Sequence, residues 1–180
     1  VMSLIDGSGE TIEIPNGFCF THLFEDCASL IQAPALPAKR LTNNCYEYMF
    51  SGCTNLAQAP ELPAKALAAE CYEGMFIRCS KFRVAPELPA TTLGGYCYFN
   101  MFAGCKGIIN APALPAKTLA DHCYYNMFSG CTFTKAPELP ATTLVDGCYS
   151  GMFSGCENLS QIKVNFTEWN ETSTSEWVYG

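Results

Sequence analysis

One nine-residue motif is written six times along this chain, and that periodicity restricts the fold more than any other feature. Cys123-Tyr-Tyr-Asn-Met-Phe-Ser-Gly-Cys131 is matched by Cys45-Tyr-Glu-Tyr-Met-Phe-Ser-Gly-Cys53, Cys71–Cys79, Cys97–Cys105 and Cys148–Cys156, with a degenerate copy at Cys19–Cys27. The first cysteines stand at 19, 45, 71, 97, 123 and 148, so the step is 26 residues four times and then 25. A fixed period of this size marks a stacked array, in which each unit buries its apolar side against its neighbours. The expected fold is therefore a repeat solenoid.

Between cysteine motifs lies Ala-Pro-x-Leu-Pro-Ala, at 33–38, 59–64, 85–90, 111–116 and 136–141. Leu36, Leu62, Leu88, Leu114 and Leu139 fall in one column, read as inward-facing. Two prolines in six residues exclude a helix here and leave too few donors for a long strand. The expectation is one very short parallel strand around Ala-Pro-x-Leu per coil, with equivalent coils about 4.8 Å apart, then an irregular corner. In the cysteine motif, Tyr46, Met49 and Phe50 follow an i, i+3, i+4 spacing, as do Tyr72, Met75 and Phe76. That spacing predicts a short helical turn with an apolar face, which makes the class mixed α/β. Residues 1–18 read as an N-terminal lead-in and cap, with turn material at Asp6–Gly9 and a short strand pattern at Thr11–Ile14. Residues 19–159 form the six units. Residues 160–180 read as a strand (Ile162, Val164, Phe166) followed by a cap carrying Trp169 and Trp177. Both ends look like cut points in a longer protein.

Apolar residues make up 49% of the chain and charged residues 15%, which excludes disorder. A formal net charge of −7 with scattered lysines and arginines argues against nucleic acid; Arg78, Lys81 and Arg83 read as a solvated corner. No apolar run is long enough to span a membrane, and the first residues do not form a signal peptide. Asn158, Asn165 and Asn170 match the glycosylation pattern, read as chance. No nucleophile is paired with histidine, no phosphate loop is present, and no acidic pair escapes the repeat, so the chain is read as not an enzyme and as binding no cofactor.

The combination of Leu62-Pro63, Leu67, Cys71, Met75-Phe76 and Cys79 resembles the BspA-like leucine-rich repeat family of bacterial surface proteins. Its shorter repeats read Ile-Pro-x-x-Val, Ile-Gly-x-x-Ala-Phe and then x-Gly-Cys-x-x-Leu. The tail from Ile162 to Trp169 and Trp177 to Gly180 also resembles the segment that follows such arrays. The period of 26 and the second cysteine in each unit depart from the family pattern. The resemblance implies a leucine-rich-repeat-like solenoid, export, attachment to the cell surface through an anchor outside this stretch, and adhesion or protein binding. It brings no catalytic residues.

The paired cysteines (Cys19 and Cys27, Cys45 and Cys53, Cys71 and Cys79, Cys97 and Cys105, Cys123 and Cys131, Cys148 and Cys156) carry three readings. Their x7 spacing does not fit structural zinc, and six near-identical apolar pairs do not fit a single redox site. Export and even parity favour disulfides. Against that, eight helical steps of about 1.5 Å separate two Cα atoms by about 12 Å, whereas a disulfide wants about 7 Å or less. The geometry leans towards buried free thiols in two ladders, with both alternatives open.

If the leucines point inward, Glu61, Glu87 and Glu138 lie on an outer column. Tyr48, Phe99 and Tyr125 occupy variable positions inside the cysteine motif. These six are the candidate ligand-face residues, set against the simpler reading that the glutamates provide solubility and the rings are buried. The expected function is a cell-surface module binding a host or microbial protein or glycan; the alternative is a passive spacer presenting another domain.

Overall fold

A unit of 26 residues is too short to satisfy its own backbone, so its donors and acceptors must be met by the units on either side. The computed structural model describes residues 13–179. Along the cysteine motif the N–H groups alternate between two acceptors. Asn44, Tyr46, Tyr48, Phe50 and Gly52 donate to the carbonyls of Ala69, Cys71, Glu73, Met75 and Ile77 in the next unit, at 2.7–3.1 Å. The residues between them donate backwards in their own unit: Glu47 to Asn44, Met49 to Tyr46, Ser51 to Tyr48 and Cys53 to Phe50, at 3.0–3.3 Å. These inter-unit bonds all run the same way, from the N–H of one motif to the C=O of the following one. After the last motif, Tyr149, Gly151, Phe153 and Gly155 donate to Ser173, Ser175, Trp177 and Tyr179.

The helical turn expected over Tyr46–Phe50 does not form, and no helix occurs among the described residues. Asn44, Tyr48 and Gly52 have φ of 57°, 49° and 72°, and a left-handed residue every fourth position breaks a right-handed helix. The motif is instead a run of overlapping turns, each closed by an N–H bonded three residues back. This path turns two residues inward and two outward by turns. Cys45, Tyr46, Met49, Phe50 and Cys53 are all buried.

In-register stacking then aligns identical side chains. Tyr46, Tyr72, Tyr98, Tyr124 and Tyr149 stack with ring centroids 5.6–6.0 Å apart. Phe50, Phe76, Phe102, Phe128 and Phe153 do the same at 5.7–6.0 Å. Met75 and its equivalents are fully buried in the same core. Each buried aromatic contributes about 1.5–3 kcal/mol of transfer free energy. Trp177 closes the far end of both ladders, 6.3 Å from Tyr149 and 6.1 Å from Phe153.

The proline side of the units differs. Leu36, Leu62, Leu88, Leu114 and Leu139 are buried, but the strand expected around each Ala-Pro-x-Leu forms in one unit among those described. There β1 (Lys135–Leu139) pairs in parallel with β2 (Gln161–Val164). Elsewhere among the described residues from Gln58 to Asn110 single bridges occur, at Gln58 with Val84, Val84 with Asn110, and Ala66 with Thr92. The physical reason is donor loss. A proline-bearing segment facing another proline-bearing segment cannot sustain a ladder, whereas β2 has no proline and supplies the donors β1 lacks. Of the expected lead-in, residues 1–12 lie outside the described residues; Glu13 bridges Arg40 in parallel.

Candidate ligand-binding face

The register that stacks the core also stacks the outward residues of the cysteine motif. The position before the first cysteine reads Phe18, Asn44, Glu70, Tyr96, His122 and Gly147. The third motif position reads Thr21, Glu47, Glu73, Phe99, Tyr125 and Ser150. Here the repeat breaks, and it breaks in blocks. The second and third units carry amide and carboxylate groups; the fourth and fifth carry rings.

In the ring block Tyr96 stacks on His122 at 4.6 Å and 4°, and Phe99 on Tyr125 at 4.9 Å and 16°. Tyr96 also meets Phe99 at 5.6 Å, and His122 meets Tyr125 at 5.7 Å, so the four rings form one cluster. Tyr96 is 38% exposed, and the other three are half-buried. Gly147 makes room for the imidazole: a Cβ there would collide with His122, and its φ of 58° suits glycine.

In the acidic block the Asn44 amide donates to Glu47 at 3.1 Å and to Glu70 at 2.8 Å. The Tyr48 hydroxyl donates to Glu73 at 3.0 Å. Tyr48 stacks on His22 at 5.2 Å and lies over Gly74, where any side chain would strike its ring. Burial, and then the hydrogen bond to Glu73, push the Tyr48 hydroxyl up to about 12. The Glu73 carboxyl is also raised, first by burial, with the charges of Glu47 and Glu70 adding to the shift and the Tyr48 bond opposing it. Among the described residues the ion pairs are His22–Glu25, Arg40–Glu13 and Lys163–Glu138, so Glu47, Glu70 and Glu73 have no cationic partner.

The six sequence-derived candidates therefore fall into two groups. Tyr48, Phe99 and Tyr125 belong to the cysteine-motif face. Glu61 and Glu87 are exposed on the proline side, lining an open slot of about 470 Å³ with Pro60, Pro63, Pro86 and Pro89. Glu138 is tied to Lys163 at 3.0 Å. Among the described residues no hydrogen bond, ring contact or cavity joins the two groups. Tyr96, His122, Glu47, Glu70 and Glu73 were absent from the sequence-derived set. Their signal was present, since the column just before the first cysteine holds six different residues in six successive units.

All twelve cysteines are unpaired, and nine of them are buried. In the second column the thiols donate across units: Cys53 to the carbonyl of Phe24, Cys79 to Phe50, Cys105 to Phe76, Cys131 to Phe102 and Cys156 to Phe128, at 2.8–3.3 Å. Those carbonyls also accept a turn N–H, so the thiol uses their second lone pair. Burial pushes the Cys45, Cys79 and Cys123 thiols up to about 12, and Cys53 and Cys156 to about 11. Such thiols are poor nucleophiles. Among the described residues, no group of three or more His, Cys, Asp or Glu side chains is placed to hold a metal ion. No described helix is long and apolar enough to cross a membrane. No protein-family model, curated protein or solved structure matches the chain.

Proposed function

We propose that the chain is a leucine-rich-repeat-like solenoid acting as a non-enzymatic binding module on a bacterial cell surface, as its resemblance to BspA-like proteins implies. Its ligand is a host or microbial protein or glycan. One observation carries the reading. The buried columns keep their residue type from unit to unit, while the outer face of the cysteine motif departs from the repeat in two contiguous blocks. Core packing does not call for Tyr96, Phe99, His122 and Tyr125 at positions that the second, third and sixth units fill with small or polar residues. Exposed and half-exposed aromatics grouped in this way are typical of contact surfaces.

Immobilised protein and glycan arrays test this. Saturable binding is expected, weakened at least about tenfold by Phe99→Ser with Tyr125→Ser, the loss expected when anchor rings are removed. A second reading, a passive spacer, rests on the unbroken inter-unit bonding of the cysteine motif, which suits a stiff rod. Absence of binding across both arrays would favour the spacer.

A further inference from the structure

The orientation of the rings narrows the ligand class, given that this face is a binding surface. Tyr96 and His122 lie nearly parallel, as do Phe99 and Tyr125, so each ring covers its partner's face and turns its edge to solvent. A sugar needs an open ring face to stack on, and within this cluster the mutual faces are taken. Ring edges carry partial positive charge and suit aliphatic side chains or the faces of other aromatic rings. Of the faces turned away from a partner ring, those of His122 and Tyr125 look to the following unit, where Gly147 closes on the imidazole and Ser150 stands at the other position, and those of Tyr96 and Phe99 look to the preceding unit, where the equivalent positions are Glu70 and Glu73. That seam joins ring faces to carboxylates lacking a cation, with Glu47 beside them.

We propose that this seam docks a basic protein segment, with an arginine guanidinium seated between Glu70 and Glu73 on one side and Tyr96 and Phe99 on the other. An adjacent apolar or aromatic residue of the same segment packs on the ring edges of His122 and Tyr125. A planar cation meets both demands at once, stacking on a ring and bonding to carboxylates. The protein's net charge of −7 favours approach of such a partner.

The test is selection from a displayed random twelve-residue peptide library, run beside a neutral-glycan array. Peptides with arginine next to Trp, Tyr, Phe or Leu should be enriched. Their binding should fall about tenfold or more on Glu70→Gln with Glu73→Gln, on replacing the peptide arginine by lysine, and in 1 M salt. The glutamines preserve size and hydrogen bonding, so loss through misfolding is separated by an unchanged denaturant midpoint. Enriched peptides without basic residues, or binding that the glutamine variant leaves intact, overturn the proposal. Neutral-glycan binding lost with Phe99→Ser overturns it too, while leaving the binding-module reading standing. Silence in both assays overturns both.

Discussion

The cysteine side and the proline side of each unit solve the same stacking problem in opposite ways. Each of the first five cysteine motifs, with the residue before it, sends five backbone N–H groups into the next unit, and two aromatic ladders run beneath. Apart from the β1–β2 pair, the proline side offers single bridges and open slots, and it holds by the burial of Leu62, Ala64, Leu67 and most of their equivalents. One side is continuous in both hydrogen bonding and packing. The other is continuous in packing alone. The difference teaches that a stack of this kind needs one fully bonded side to set register, after which the opposite side can give up donors to proline.

The comparison breaks most completely at high pH. The buried thiols are held protonated in the folded chain at about 11 to 12 against an ordinary 9.0. A group whose folded value is raised gives its full contribution below the unfolded value and loses it as pH rises towards the folded one. The denaturant midpoint, measured with reductant, should be level up to about pH 9 and then collapse towards pH 12. A midpoint unchanged at pH 11 would refute this account of the cysteine columns. Next in size is Phe102→Ala in the middle of the ladder, expected to cost about 3–5 kcal/mol in urea unfolding; a loss below 1 kcal/mol would deny the ladder its role.

Thiol chemistry sharpens the same contrast. In the folded chain a thiol reagent should modify Cys19 fast, Cys27 and Cys156 slowly, and the nine buried cysteines not at all. In denaturant without reductant, twelve should react; a count near zero would mean disulfides. Smaller still is the effect of the cross-unit thiol bond. Cys105→Ser keeps a donor for the Phe76 carbonyl at 2.8 Å, so it should cost about 1 kcal/mol less than Cys97→Ser in the first column. The smallest effect belongs to the proline side: Glu87→Gln should change stability by under about 0.5 kcal/mol, and a larger loss would assign that column a structural role.

The cysteine motif shows how far local spacing carries. Tyr46, Met49 and Phe50 satisfy i, i+3, i+4 and so suggested a helical turn. Adding Cys45 and Cys53, the buried set becomes two in, two out, with a period of four rather than 3.6. Gly, Asn and His recur at the left-handed positions, as in Asn100, Asn126, Gly74, Gly151 and His122, and that second pattern contradicts a helix. The candidate face was half legible. Tyr48, Phe99 and Tyr125 stood out as variable positions in the motif, but Tyr96 and His122 sit just outside it and gain meaning only once the units are in register.

The sequence by itself determined the unit length, the inward columns and the places where the repeat is broken, because identical residues at a fixed period have to occupy equivalent environments. Tertiary structure decided how those units bond. Whether a backbone N–H turns back three residues or forward into the next unit depends on a neighbour some twenty-five residues away, and no local propensity carries that information. The same register gathers Glu70, Glu73, Tyr96 and Phe99 from two units into one seam.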